Sequence, residues 1–217
     1  SLAEQRFSSV FTGEEFFLRD HRVQTQKVLP GVAYLEMARA AVQHALGEFG
    51  ENKSSIRLKN VVWASPIVVG ENLQEVHISL FPEENGEITY EIYTQGDTEE
   101  DASVHSQGRA TVGSLNSSSP LASSTLGATP RVSSLDLKAL QSRMNQSGST
   151  EYMPEECYEA FKAMGIEYGP AHQGIEKLLV REDEVLAKLS LPTCVLETRD
   201  QYTLHPSLLD SALQASI

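Results

Sequence analysis

The chain has 217 residues, of which 40 % are hydrophobic and 22 % charged, enough to bury a core in one large domain or two small units. Its formal net charge of −13 argues against nucleic acid as a partner, because phosphate binding needs clustered lysine and arginine. No stretch approaches the ~18 consecutive apolar residues of a membrane span, and no signal peptide is legible, so a cytoplasmic protein is expected. Cys157 and Cys194 form no CxxC and have no metal-ligand spacing, so they read as free thiols in a reducing compartment, and no metal is expected. The chain opens at Ser1 without a methionine and reads as a piece of something longer.

From residue 6 to 18 the aromatic and β-branched content (Phe7, Val10, Phe11, Phe16, Phe17) predicts a short strand or hairpin that leads to His21. Pro30 and Gly31 then sit where a helix would begin, since proline in a first turn loses no intrahelical hydrogen bond. Val32, Leu35, Ala38, Val42 and Ala45 recur at helical spacing, with Glu36, Arg39 and Gln43 between them. Small residues along this run (Ala33, Ala38, Ala40, Ala41) allow close approach of other backbone, so a largely buried central helix is predicted. It should stop near Gly47 to Gly50. Its N-terminus, with unpaired N–H groups and a partial positive charge, can polarise a carbonyl.

A series of strand-like runs follows: Ile56–Leu58, Val61–Trp63, Ile67–Val69, Val76–Leu80, Ile88–Tyr93 and Val104–Val112. Asn85-Gly86 between two of them marks a hairpin, because both residues tolerate positive φ. The acidic cluster Asp97-Thr98-Glu99-Glu100-Asp101 reads as a solvated loop, its consecutive residues being unable to converge on one ion. Residues 114–150 turn serine-, glycine- and proline-rich and read as a linker expected to be mobile, with a helical turn or two between Leu135 and Met144. A second unit begins near Glu151, with a helix opened by Pro154-Glu155-Glu156 and ended at Gly165. Two strand-like runs then reach Val180 and Leu191, and His205-Pro206 starts another buried helix. The order helix-then-strands is begun twice, over residues 1–113 and 151–217, and by itself this supports an α+β fold.

Three local patterns resemble one family. His21-xxx-Thr25-xxxx-Pro30-Gly31 is similar to the HxxxGxxxxP signature of dehydratase domains in modular polyketide synthases, with Thr25 where the family has glycine. Gly165-Ile166-Glu167-Tyr168-Gly169-Pro170 resembles GYxYGPxF, with Ile166 in place of tyrosine and His172 in place of phenylalanine. Leu204-His205-Pro206 with Asp210 and Gln214 resembles LHP…DxxxQ. The chain is identified on these motifs as similar to the bacterial trans-acyltransferase type. The resemblance implies a double hotdog, two tandem units each with a central helix wrapped by antiparallel sheet. Family members continue with further strands, so the second unit reads as incomplete, and this piece alone is expected to be weakly stable or inactive.

The resemblance further implies loss of water from a 3-hydroxyacyl thioester. That needs a base for the C2 proton and an acid for the leaving C3 hydroxyl. His21 fits the base, since an ordinary histidine is largely neutral at pH 7, and Asp210 on an apolar helix fits the acid if desolvation keeps it protonated. Gln214, one turn on, shares a face with Asp210 and can orient its carboxyl. Gly31 would offer backbone N–H groups to the thioester carbonyl, and Tyr168 a hydrogen bond to the leaving hydroxyl, with Pro170 beside it in the substrate site. Taken alone, a histidine at a strand end or an aspartate in a first helical turn is structural, and only the family pattern reverses those readings. His105 reads as a strand histidine, His205 as a cap, His44 and His77 as surface or helix-edge residues; His172 is left open as a pocket residue.

No cofactor is expected on the domain itself, the substrate arriving on the phosphopantetheine arm of an acyl carrier protein. Neighbouring synthase domains and a homodimer are the other partners the resemblance implies. The competing readings are a same-fold double-bond isomerase or ring-forming domain, a non-catalytic scaffold that positions carriers, and a hotdog thioesterase. The scaffold would be favoured if His21 and Asp210 lay far apart.

Overall fold

The computed structural model describes residues 5–47, 54–96, 101–114, 136–145, 148–182 and 184–216. Strand β1 (Gln5–Phe11) is the short strand expected in this stretch, but a single helical turn, α1 (Phe16–Arg19), carries the chain on to His21 where a strand or hairpin is predicted to reach it. The reason is local: the Glu15 carboxylate accepts hydrogen bonds from the N–H groups of Thr12 and Gly13, both at 2.9 Å, and reverses the chain. The phenylalanines that suggested a strand pack edge-on instead, Phe16 on Phe17 at 5.2 Å and Phe17 on Phe11 at 5.8 Å.

A tight hairpin joins β2 (His21–Val23) to β3 (Gln26–Val28), and its two turn residues, Gln24 and Thr25, both take positive φ, +48° and +72°. Thr25 therefore stands in the left-handed region where the similar family motif has glycine, on an exposed turn. A β-branched residue there costs about 1–2 kcal/mol. Thr25→Gly is expected to raise the melting temperature by a few degrees with activity unchanged; a lower melting temperature in a thermal scan would refute the strain.

Helix α2 (Gly31–Leu46) has Pro30 as its N-cap and buries Val32, Tyr34, Ala38 and Val42. Gly47 closes it at φ +59°, and residues 48–50 lie outside the described residues. An antiparallel sheet in the order β1-β6-β7-β8-β4 wraps it, formed with β4 (Ser54–Trp63), β6 (Gln74–Pro82), β7 (Ile88–Thr94) and β8 (Ser103–Ser114). Ile88, Tyr90 and Ile92 alternate inward along β7 and complete the core with Ile78, Leu80 and Ala110. The β6–β7 turn forms at Asn85-Gly86, with Gly86 at φ +81°. Short β5 (Val68–Val69) pairs with β3.

Of the expected linker, residues 115–135 and 146–147 lie outside the described residues, as do residues 97–100 of the acidic cluster. Within it, α3 (Leu137–Met144) is capped by Asp136, whose Oδ1 accepts from the Ala139 N–H at 3.0 Å. The second unit contains β9 (Thr150–Tyr152), α4 (Pro154–Ala163), β10 (Ile166–Tyr168), β11 (Ile175–Arg181), β12 (Glu184–Leu189) and α5 (Pro206–Gln214). Short 3-10 segments at Pro170–His172 and Thr193–Gln201 join them. Proline opens α4, α5 and the first 3-10 turn, the place where its missing N–H does no harm.

β9, β11 and β12 form a sheet in the order β12-β11-β9 beside α5, while β10 leaves this unit and pairs with β2 in the sheet β10-β2-β3-β5. The fold is thus a double hotdog of the α+β class, one helix wrapped by five strands and a second helix with a shorter sheet. Leu208 and Leu213 on α5 stay 39 % and 49 % exposed, the open face of that second unit. Among the described residues no helix is long and apolar enough to cross a membrane.

Candidate active site

His21 opens β2, and its register partner across the ladder is Tyr168 of β10. The two rings meet edge-on at 5.5 Å, as expected of directly opposed residues. His21 Nδ1 lies 2.8 Å from the Val28 carbonyl oxygen, which can only accept, so Nδ1 carries the hydrogen and Nε2 keeps its lone pair. Burial pushes the His21 imidazole below its usual 6.5; the Asp210 carboxylate opposes this, and His172 adds to it. The result is a neutral ring with one basic nitrogen. A cavity of ≈ 340 Å³ opens beside it, lined by His21, Leu29, Gly31, Tyr34, Trp63 and Pro66. Gly31 is the first residue of α2, and its carbonyl accepts from Trp63 Nε1 at 2.9 Å.

Asp210 and Gln214, one turn apart on α5, are 5 % and 3 % exposed. Gln214 Nε2 donates to Asp210 Oδ2 at 2.9 Å and to the His172 carbonyl at 3.1 Å. His172 Nδ1 also lies 2.9 Å from Asp210 Oδ2, and its ring centroid is 5.5 Å from that of His21. The two expected catalytic side chains therefore converge through one intervening imidazole. Tyr158 donates to Gln214 Oε1 at 3.4 Å and accepts from the Ile175 N–H at 3.0 Å. Burial, helped by the Asp210 charge, pushes the Tyr168 phenol well above its ordinary value, so it stays a hydrogen-bond donor.

Two carboxylates of the first unit hold this arrangement together, and neither was singled out from sequence. Asp20 Oδ2 accepts from the Ala171 N–H at 2.9 Å, its backbone carbonyl from the Gly169 N–H at 2.7 Å, and Arg19 Nε binds Oδ1 at 2.9 Å. Burial would raise its carboxyl, but the Arg19 and Ala171 hydrogen bonds outweigh that and hold it below the usual range. A Cβ on Gly169 would sit 2.7 Å from Asp20 Cγ, so only glycine lets the turn approach. Glu36 takes Arg39 in a bidentate pair at 2.7 and 2.9 Å, then accepts from the N–H groups of Thr203 and Leu204 at 3.1 and 2.9 Å. Sequence reading set Glu36 between the apolar positions of the helix; it is in fact 6 % exposed. The signal was Arg39 three residues on, which marks a partner for a buried acid.

The other residues fall elsewhere. Pro170 is exposed at the start of its 3-10 turn and reaches the site only through the backbone that carries His172. His105 is held between Ser65 and Thr94, each at 2.9 Å, a structural strand histidine. His205 is the N-cap residue of α5 but makes no capping bond; its Nε2 pairs with Thr198 Oγ1 at 2.9 Å and its ring stacks on Phe16. His77, expected on the surface, is 3 % exposed, with Nδ1 2.8 Å from Ser8 Oγ, because β1 covers that edge of β6. His44 is exposed.

A double hotdog that buries a histidine and an aspartate at one junction holds the base and acid types that a dehydration needs. Residues 1–95 match the family model described as polyketide synthase dehydratase domain, and residues 135–217 the one described as polyketide synthase dehydratase N-terminal domain. The chain is 44 % identical over 217 residues to polyketide synthase PksM of Bacillus subtilis (strain 168), covering 100 % of this chain and 5 % of that protein's length. A solved trans-AT polyketide synthase dehydratase domain from Brevibacillus brevis is 52 % identical with a TM-score of 0.84, and the match covers 100 % of this chain and 70 % of that one. An inactive CurK dehydratase mutant, with asparagine in place of an aspartate, is 25 % identical with a TM-score of 0.77, covering 98 % and 67 %. The chain belongs to the polyketide synthase dehydratase family, trans-acyltransferase type.

Proposed function

We propose that this chain removes water from a 3-hydroxyacyl thioester carried on the phosphopantetheine arm of an acyl carrier protein, with His21 as base and Asp210 as acid. The observation that carries the reading is the bare Nε2 of a buried, neutral His21 beside a cavity, with the buried Asp210 carboxyl one imidazole away. His21 Nε2 takes the C2 proton, the electron pair left behind forms the C2–C3 double bond, and the C3 hydroxyl leaves as water with the proton from Asp210. The elimination is redox-neutral, so two proton-transfer groups suffice and no bound cofactor is invoked. N–H groups at the start of α2 stabilise charge that develops on the thioester oxygen, and Tyr168 donates to the departing hydroxyl. In the CurK relative an aspartate-to-asparagine change accompanies inactivity, so an aspartate is essential in that dehydratase. The acidic surface does not attract an acidic carrier, but a carrier in the same polypeptide reaches an effective concentration of about millimolar without attraction.

The test is incubation with a 3-hydroxyacyl pantetheine thioester, with mass analysis and proton NMR of the product. Loss of one water to give the α,β-unsaturated thioester is expected; a shifted alkene, a cyclic ether, free acid or unchanged substrate each overturns the reading. The pH profile supplies a second check. Because burial lowers the His21 pKa, the rate should stay high through the usual 6.5 and fall only at lower pH, as the base gains its proton. An acid limb at or above pH 6.5 would count against His21 as base.

A further inference from the structure

His172 has no part in the roles proposed above, yet it is fully buried and touches both of them: its ring lies beside His21, and its Nδ1 is 2.9 Å from Asp210 Oδ2. Its other ring nitrogen, Nε2, has no hydrogen-bond partner. That asymmetry decides the tautomer. If Nε2 carried a hydrogen, an N–H group would be buried without an acceptor, which folded proteins very rarely tolerate; an unpartnered lone pair is the lesser cost. The hydrogen therefore belongs on Nδ1, where it points at Asp210.

Asp210 Oδ2 then accepts twice, from His172 Nδ1–H and from Gln214 Nε2–H. With both donors on Oδ2, Oδ1 is the oxygen that would carry the hydrogen when Asp210 acts as the acid. Gln214 also donates to the His172 carbonyl, so ring, amide and carboxyl form one closed set. The turn that bears His172 is in turn clamped by Asp20 through Gly169 and Ala171.

We propose that His172 is a positioning residue of the dehydration: its Nδ1–H pins Asp210 Oδ2 and so directs the acid proton from Oδ1 toward the leaving hydroxyl. The proposal rests on Asp210 being the acid. The similar family motif has phenylalanine at this position, which fills the same space but cannot donate; with it the carboxyl would be held by Gln214 alone.

The experiment compares His172→Phe, His172→Asn and Asp210→Asn in the full chain with the 3-hydroxyacyl pantetheine thioester. Loss of one hydrogen bond that orients the acid should lower kcat in His172→Phe by about 10-fold with KM within about twofold. Asparagine places an amide N–H near the position of Nδ1, so His172→Asn should recover most of that loss. Nitrogen-15 NMR of the histidine-labelled parent reads the hydrogen bond without any variant: a protonated Nδ1 and bare Nε2 at His172 are expected. Parent-like kcat in His172→Phe, equal damage in both His172 variants, or a bare Nδ1 would each overturn the role of His172. Full turnover by Asp210→Asn would overturn the acid assignment itself, and His172's role with it.

Discussion

His21→Ala and Asp210→Asn should each lower dehydration by about 10²–10⁴-fold, the contribution general acid–base groups make when their positions are held. The alanine variant removes the basic Nε2, and no second group can replace it: His172 points its hydrogen-bearing nitrogen at Asp210 and its other nitrogen is sealed from solvent. Asparagine at 210 keeps the shape of aspartate and an oxygen that can still accept from His172 and Gln214, so α5 should remain seated and the melting temperature change by only a few degrees. Measured turnover with circular dichroism melts checks both halves. Near-native activity in either variant would remove that residue from the mechanism, and an unfolded Asp210→Asn would assign the aspartate a structural role instead.

Glu36→Ala should strongly destabilise the junction, although Glu36 lies outside the proposed acid–base pair. It strips the bidentate partner from Arg39, whose side chain is only 19 % exposed, and removes the acceptor of the Thr203 and Leu204 N–H groups. Breaking a buried charge pair by deleting one member costs about 3–5 kcal/mol, which for a domain of this size lowers the melting temperature by roughly 10 °C. Activity should fall as well, because Thr203 and Leu204 run directly into His205 and α5, the helix that carries Asp210. Glu36→Gln keeps one acceptor oxygen without the charge and should fall between the two. A thermal melt of Glu36→Ala within a degree or two of the parent would show that the helix contact between α2 and α5 holds the junction without this carboxylate.

The elements nearest in sequence to a strong physical signal were legible from it. The apolar spacing of residues 32–45, the prolines at the starts of α2, α4 and α5 and the Asn85-Gly86 turn depend on local conformational preference, and they appear as expected. So does the Asp210–Gln214 pair, because residues four apart on a helix must share a face. The readings that failed are those in which local content was ambiguous. Aromatic residues at 16 and 17 suit a strand or a buried helical turn equally, and the Glu15 carboxylate decided for the turn.

Sequence alone, then, determined the two central helices and most of the strands between them, while its motifs pointed by resemblance to the residues proposed for the elimination. The tertiary structure decided how those residues meet. The pairing of β10 with β2 sets Tyr168 opposite His21, the Asp20 and Glu36 carboxylates catch backbone N–H groups 151 and 167–168 residues further on, and Gly169 allows the approach. It also turned the His172 ring onto Asp210. The physical reason is that burial and hydrogen-bond satisfaction are properties of the assembled chain: a carboxylate such as Glu36 reads as a solvent-facing charge until the N–H groups it must satisfy are brought to it from the other unit.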